Sequence, residues 1–135
     1  MKLVLATNNM GKVREFARIL EPLGISLLTQ QQAGVQVQPE ENGTTFAENA
    51  RIKAMAVYQA TGLPTIADDS GLCIDALDGQ PGVYSARYYG EDTPYTEKNR
   101  YILSQLEGLP QEKRTARFVA HITCVLSPEQ MLDCE

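Results

Sequence analysis

The chain has 135 residues, of which 43% are hydrophobic and 21% charged, with a formal net charge of −5 and a pI near 4.9. That length suits one domain with a real core, and the acidic balance provides no basic field for a nucleic-acid backbone, which excludes a nucleic-acid polymer as the expected partner. Cys73, Cys124 and Cys134 are far apart and lack CxxC spacing, the usage of reduced thiols in a cytoplasmic protein. The apolar amino terminus is too short for a signal peptide or a membrane span.

Lys2 to Ala6 is a continuous apolar run and reads as a strand buried on both faces. Thr7-Asn8-Asn9-Met10-Gly11-Lys12 separates it from a helix whose apolar face is Val13, Phe16, Ala17 and Leu20, ended by Pro22 and Gly24. Ile25 to Thr29 is a second strand, and the Gln-rich stretch from Gln30 to Gly43 is a loop. Thr45 and Glu48 have capping-box spacing. The spacing predicts a helix over Phe46 to Ala60 with Phe46, Ala50, Ala54 and Val57 on one side, closed at Thr61-Gly62-Leu63-Pro64.

Thr65-Ile66-Ala67 predicts a short strand, followed by Asp68-Asp69-Ser70 and a turn at Gly71, then a second strand from Leu72 to Leu77 and a tight loop, Asp78 to Gly82. Thr93 as cap and Pro94 at the first position predict a helix with the stripe Asn99, Ile102, Leu103 and Leu106. Thr115 to Leu126 reads as a long strand with Phe118, Ala120, Ile122, Cys124 and Leu126 on one face. Met131 to Glu135 reads as the start of a hairpin return strand, cut short there, with a carboxy terminus expected to be frayed or paired with another chain.

Two groups of residues carry possible chemistry. In Thr7 to Lys12, free N–H groups and the helix dipole favour an anion such as phosphate, although the Walker spacing is missing and an ordinary Asn-rich cap is the alternative. The second group is acidic: Glu40 and Glu41 on one loop, Asp68 and Asp69 after a strand. Carboxylates from separate segments suit Mg²⁺, which takes one or two protein oxygens plus waters and phosphates. Solvated loop charges and a polar turn are the plain readings of the same residues. Lys53 lies four residues beyond Asn49 on the same helix face and either enters that site or snorkels. His121 has no second histidine to share a metal and reads as a packed or surface residue. Ser70 has no His partner, and no cysteine has an activating base. What remains is metal-assisted hydrolysis of a phosphate ester or anhydride.

Four motifs, Thr7 to Lys12 (T-x-N-x-x-K), Glu41 through Ala54 (E-x-G-x-T-F-x-E-N-A-x-x-K-A), Ala67 through Leu72 (A-D-D-S-G-L) and Pro81 through Arg87 (P-G-x-Y-S-A-R), occur in order across the chain. Together they closely resemble the inosine triphosphate pyrophosphatase family. The resemblance implies an α/β fold with an elongated mixed β-sheet flanked by helices, and a nucleotide cleft between two lobes of a homodimeric protein. It implies Mg²⁺-dependent hydrolysis of non-standard purine nucleoside triphosphates (ITP, dITP, XTP) between the α and β phosphates. By motif, Thr7, Asn8, Asn9, Met10, Gly11 and Lys12 would hold the triphosphate, with Lys53, Ser70 and Arg87 as further substrate contacts. Glu41 and Asp69 would hold the metal, and Asp69 would accept the proton of the attacking water.

The family's F-G-[YW]-D-P and S-H-R motifs, which recognise the base and close the cleft, do not occur in these 135 residues. Residues 1–135 therefore read as the amino-terminal and central part of one such domain, without a linker or second domain. Weak or absent catalysis is the expectation for this stretch alone, because positioning supplies much of the rate. The alternative reading is an inactive phosphate-binding or dimerising remnant of the fold.

Overall fold

Leu3, Val4 and Leu5 of the first strand, β1 (Lys2–Leu5), are each at most 4% exposed in a computed structural model that describes residues 1–86, 88, 90 and 93–135. Side chains along a strand alternate between its faces, so β1 serves two apolar layers. Leu3 and Leu5 pack with Ile66 against Val13, Phe16 and Leu20 of the first helix, α1 (Met10–Leu20). Val4 and Ala6 pack with Ala67 and Val125 against Ala54 and Val57 of the second helix, α2 (Phe46–Thr61). Burial of a side chain such as Leu5 contributes about 1.5–3 kcal/mol, and the small alanines of α2 allow its close approach to the strands.

The remaining elements are β2 (Ser26–Leu28), β3 (Thr65–Ile74), α3 (Tyr95–Gln105), β4 (Ala116–Ser127) and β5 (Gln130–Cys134). They form a mixed five-stranded sheet of order β2-β1-β3-β4-β5. β1 is parallel to β2 (Lys2 opposite Ser26) and to β3 (Val4 opposite Thr65), while β4 and β5 are antiparallel, Thr123 opposite Asp133. The expected α/β architecture with helices flanking a mixed sheet is therefore the one observed.

Contacts divide the described chain into two compact units, 1–69 with 121–135, and 70–120. The first contains both apolar layers just described. The second has a small core of Ile74, Ile102 and Leu106, flanked by Leu72, Leu77, Tyr88 and Leu109. Within it Ser85 Oγ accepts the Leu72 N–H (2.9 Å) and donates to the Gly82 carbonyl (2.7 Å). Asp78, Gly79 and Gly82 form the expected tight loop with φ of 55°, 82° and 53°.

Several local expectations are corrected. Helix α1 starts at Met10, ahead of the apolar stripe, because the Asn9 side chain accepts the N–H groups of Gly11 (2.8 Å) and Lys12 (3.4 Å). No turn interrupts Asp68 to Gly71: the segment continues as β3 from Thr65 to Ile74. Helix α3 begins at Tyr95 after Pro94, with no side-chain cap from Thr93. Its buried positions are Lys98, Ile102 and the following Leu106, whereas Asn99 and Leu103 are exposed. Lys98 is accommodated there because its Nζ donates to the Ala86 carbonyl (2.7 Å) and lies over the Tyr95 ring. On β4, Ile122, Cys124 and Leu126 do share the α1 layer, but Phe118 is 84% exposed. The expected hairpin return is present: β5 pairs antiparallel with β4.

Candidate active site

Three segments of the first unit bring charged side chains together. The loop from Gln30 to Gly43 carries Glu41, α2 carries Lys53, and β3 carries Asp68 and Asp69. Their placement follows from local structure. Thr45 caps α2 by accepting the Glu48 N–H (3.1 Å), and the Glu48 carboxylate accepts the Thr44 N–H (2.7 Å). The capping box is thus real, with its return bond one residue earlier than the usual position. This fixes the start of α2 next to the acidic loop and aims Lys53, two turns along, at Glu41 and Asp69.

Lys53 Nζ is 3.1 Å from Glu41 Oε1 and 3.6 Å from Asp69 Oδ1. Lys12 Nζ, from the first turn of α1, is 3.0 Å from Asp68 Oδ2. Three carboxylates therefore share two ammonium groups. Asp68 and Asp69 are 7% and 9% exposed, so they are interior strand residues where the sequence suggested a solvent-facing turn. Asp69 Oδ2 is buried and has no hydrogen-bond partner among the described residues. Burial raises the Asp69 pKa above the usual carboxylate value and Glu41 adds to this, while Lys53, a hydrogen bond from Asn49 and Lys12 oppose it. A carboxyl group poised in this way is a proton acceptor of raised basicity.

A cavity of about 160 Å³ opens beside Glu41 and Lys53, which line it together with Thr7, Asn8 and Gln38 among others. Thr7 Oγ1 accepts the Asn9 N–H (3.1 Å). With the Gly11 and Lys12 N–H groups already bonded to Asn9, the segment is an Asn-capped helix start, and an incoming phosphate would compete with the Asn9 side chain for those donors. Met10 is exposed, and Gly11 and Lys12 are half-buried. Ser70, the first residue of the second unit, is exposed. Arg87 lies outside the described residues. Glu40 is exposed.

The donor set fits a hard divalent cation. A buried, unpartnered carboxylate oxygen on Asp69 and the Glu41 carboxylate converge on one amine, and the local charge is negative. Among the described residues no group of three or more acidic, His or Cys side chains is assembled for a metal. Glu41 and Asp69 are the two carboxylates that would hold such a cation, which takes one or two protein oxygens and completes its shell with waters and phosphate oxygens.

Sequence reasoning missed two polar residues. Asn49 is 1% exposed and Gln30 5%, and Gln30 Oε1 accepts the Val37 N–H (2.8 Å) and so orders the loop that leads to Glu41. The available signal was Asn49 itself, an amide within the apolar face of α2.

A sequence model of the Ham1 family matches residues 3–134. A protein named dITP/XTP pyrophosphatase from Yersinia pseudotuberculosis is 52% identical over 117 residues, covering 87% of this chain and 59% of the relative. Its namesake from Thermus thermophilus is 55% identical over 120 residues, covering 89% and 57%. The solved structure of a HAM1 protein from Coxiella burnetii matches with a TM-score of 0.89 and 38% identity, over 99% of this chain and 68% of that one. This chain spans less than two thirds of the length of these curated relatives.

Proposed function

Because the chain belongs to the Ham1 family, we propose that it forms the phosphate and metal side of a nucleoside-triphosphate pyrophosphatase acting on non-standard purine nucleotides such as ITP, dITP and XTP. The observation that carries this reading is the convergence of Glu41 and Asp69 on Lys53, with Asp69 Oδ2 left unpartnered. The names of the relatives support the substrate class.

In this reading Glu41 and Asp69 hold Mg²⁺, which when bound offsets phosphate charge and polarises the phosphoryl group. Lys12 and Lys53 supply the positive charge that orients the triphosphate, exchanging part of their pairing with Asp68, Glu41 and Asp69 for phosphate oxygens. Thr7, Asn8, Asn9, Met10 and Gly11 border the phosphates, and Ser70 and Arg87 are further substrate contacts. The raised basicity of Asp69 suits it to take a proton from the water that attacks the α-phosphorus. The bond to the β-phosphate oxygen breaks, releasing nucleoside monophosphate and pyrophosphate.

The protein acts as a cytoplasmic homodimer in this proposal. Its three cysteines are free, as a reducing compartment requires. No helix among the described residues is long and apolar enough to cross a membrane.

The test incubates the chain with ITP and Mg²⁺, alone and extended by the part of a relative that it does not cover. Pyrophosphate release by the extended chain is expected. Absence of release from both proteins defeats the reading and favours a phosphate-binding or dimerising remnant.

A further inference from the structure

Asn49 is 1% exposed, yet it is a polar residue on the packed face of α2. Its Oδ1 accepts the buried Gly43 N–H at 2.8 Å, two residues after Glu41. One turn further along the helix, Lys53 meets both Glu41 and Asp69. The carboxamide thus ties the loop that carries Glu41 to the helix that carries Lys53.

Gly43 fits this contact closely. A Cβ there would stand 2.6 Å from Asn49 Oδ1 and 2.7 Å from Glu48 Cβ, inside any real contact distance. The glycine lets the loop backbone approach the helix near enough for its N–H to reach the carboxamide.

We propose that Asn49 is a positioning residue that clamps Gly43 against α2, so that the Glu41 carboxylate is held beside that of Asp69 for a divalent cation. This inference rests on the reading of those two acids as metal ligands. Residues that orient metal ligands from behind commonly change metal affinity about 10–100-fold when removed. A carboxamide that merely fills the core would change stability and leave the affinity of a folded variant alone.

The test uses the whole chain and Mn²⁺ as the probe, with binding read by electron paramagnetic resonance and folding by circular dichroism. Asn49→Ala and Gly43→Ala are each expected to weaken Mn²⁺ binding by about 10–100-fold, and the double variant is expected to bind no worse than the weaker single, because both break one clamp. Without metal, the Gly43 amide is expected to exchange with solvent at least about tenfold faster in Asn49→Ala. Folded Asn49→Ala with wild-type Mn²⁺ affinity overturns the inference and leaves the two-acid site standing. Should Asn49→Ala fail to fold, Gly43→Ala decides, and unchanged affinity there overturns it equally. A wild-type chain that binds no Mn²⁺ overturns both the clamp and the metal site. Metal binding that passes every arm without pyrophosphate release from ITP would instead reject only the proposed reaction.

Discussion

Asp69 on β3 and Asp133 on β5 belong to the same unit, and both have basic side chains within reach, yet their environments drive them in opposite directions. Burial acts to raise the pKa of each. At Asp133 it is outweighed by hydrogen bonds from Arg51, His121 and Thr123 and by the Arg51 charge, which bring the carboxyl down to about 2. The bonds are short: 3.1 Å from Arg51 Nη2, 2.9 Å to His121 Nε2 and 2.7 Å from Thr123 Oγ1. At Asp69 burial prevails and one oxygen has no partner among the described residues. A carboxylate with its acceptors filled locks the β4–β5 hairpin, whereas one left short of donors keeps a lone pair for something that arrives from outside.

The strongest test of this contrast is Asp69→Asn in the extended chain. The variant is expected to lose on the order of 10³-fold or more in kcat while melting no lower than the wild type at pH 7. The sign follows from the raised pKa. Folded Asp69 holds its proton more tightly than the unfolded chain, so its favourable contribution is full below the unfolded value of about 3.9 and is lost as pH rises through the folded value. At neutral pH the ionised group opposes folding, and the neutral amide removes that cost. Calorimetry across pH checks it, and a clearly lower melting temperature at pH 7 would place Asp69 with the structural carboxylates.

Asp133 should behave in the reverse sense. Replacing it with alanine is expected to cost about 2 kcal/mol in urea unfolding at pH 7, since charged hydrogen bonds are lost and His121 is left buried beside them. Its pKa is depressed, so the stabilisation is present above the unfolded value of about 3.9 and disappears as pH falls through the folded value of about 2. Acid titration of the wild type should show that limb, and Asp133→Asn should flatten it. Pyrophosphate release is not the readout that separates these variants; the pH dependence of stability is.

The smallest effect is expected at Arg51, whose side chain is 51% exposed in its pair with Asp133. Arg51→Ala should cost less than about 1 kcal/mol and raise the Asp133 pKa, with His121 and Thr123 still in place. Titration of the Asp133 carboxyl by NMR reads this directly. A large loss of stability would mean that the pair, rather than the hydrogen bonds inside the hairpin, holds β5.

The site was legible in sequence to unequal depths. Thr45 and Glu48 announced the start of α2 because capping is a contact between near neighbours, and Lys53 then followed from helical spacing. Glu41 and Asp69 were identified by their motifs, and the structure brings their side chains to the same amine. The surroundings of Asp68 and Asp69 were misread, since Asp-Asp-Ser-Gly has the composition of a turn, while β3 continues through it because strand neighbours and packed layers override local preference. On α3, Lys98 was overlooked as a core residue for a related reason: only the folded loop brings the Ala86 carbonyl to its amine.

Local chemistry along the chain was sufficient for the helices, most strands, the caps of α2 and the class of ligand that two lysines and paired acids would attract. Those features depend on residues a few positions apart, whose geometry the backbone sets. The inward face of Asp69, the bond from Asn49 to Gly43 and the pairing of Lys12 with Asp68 depend on segments brought together from afar, and the donors and water around a side chain there are decided only when the layers close. That is why the residue types of the site could be read from the string of letters, while their protonation and the clamp behind them belong to the fold.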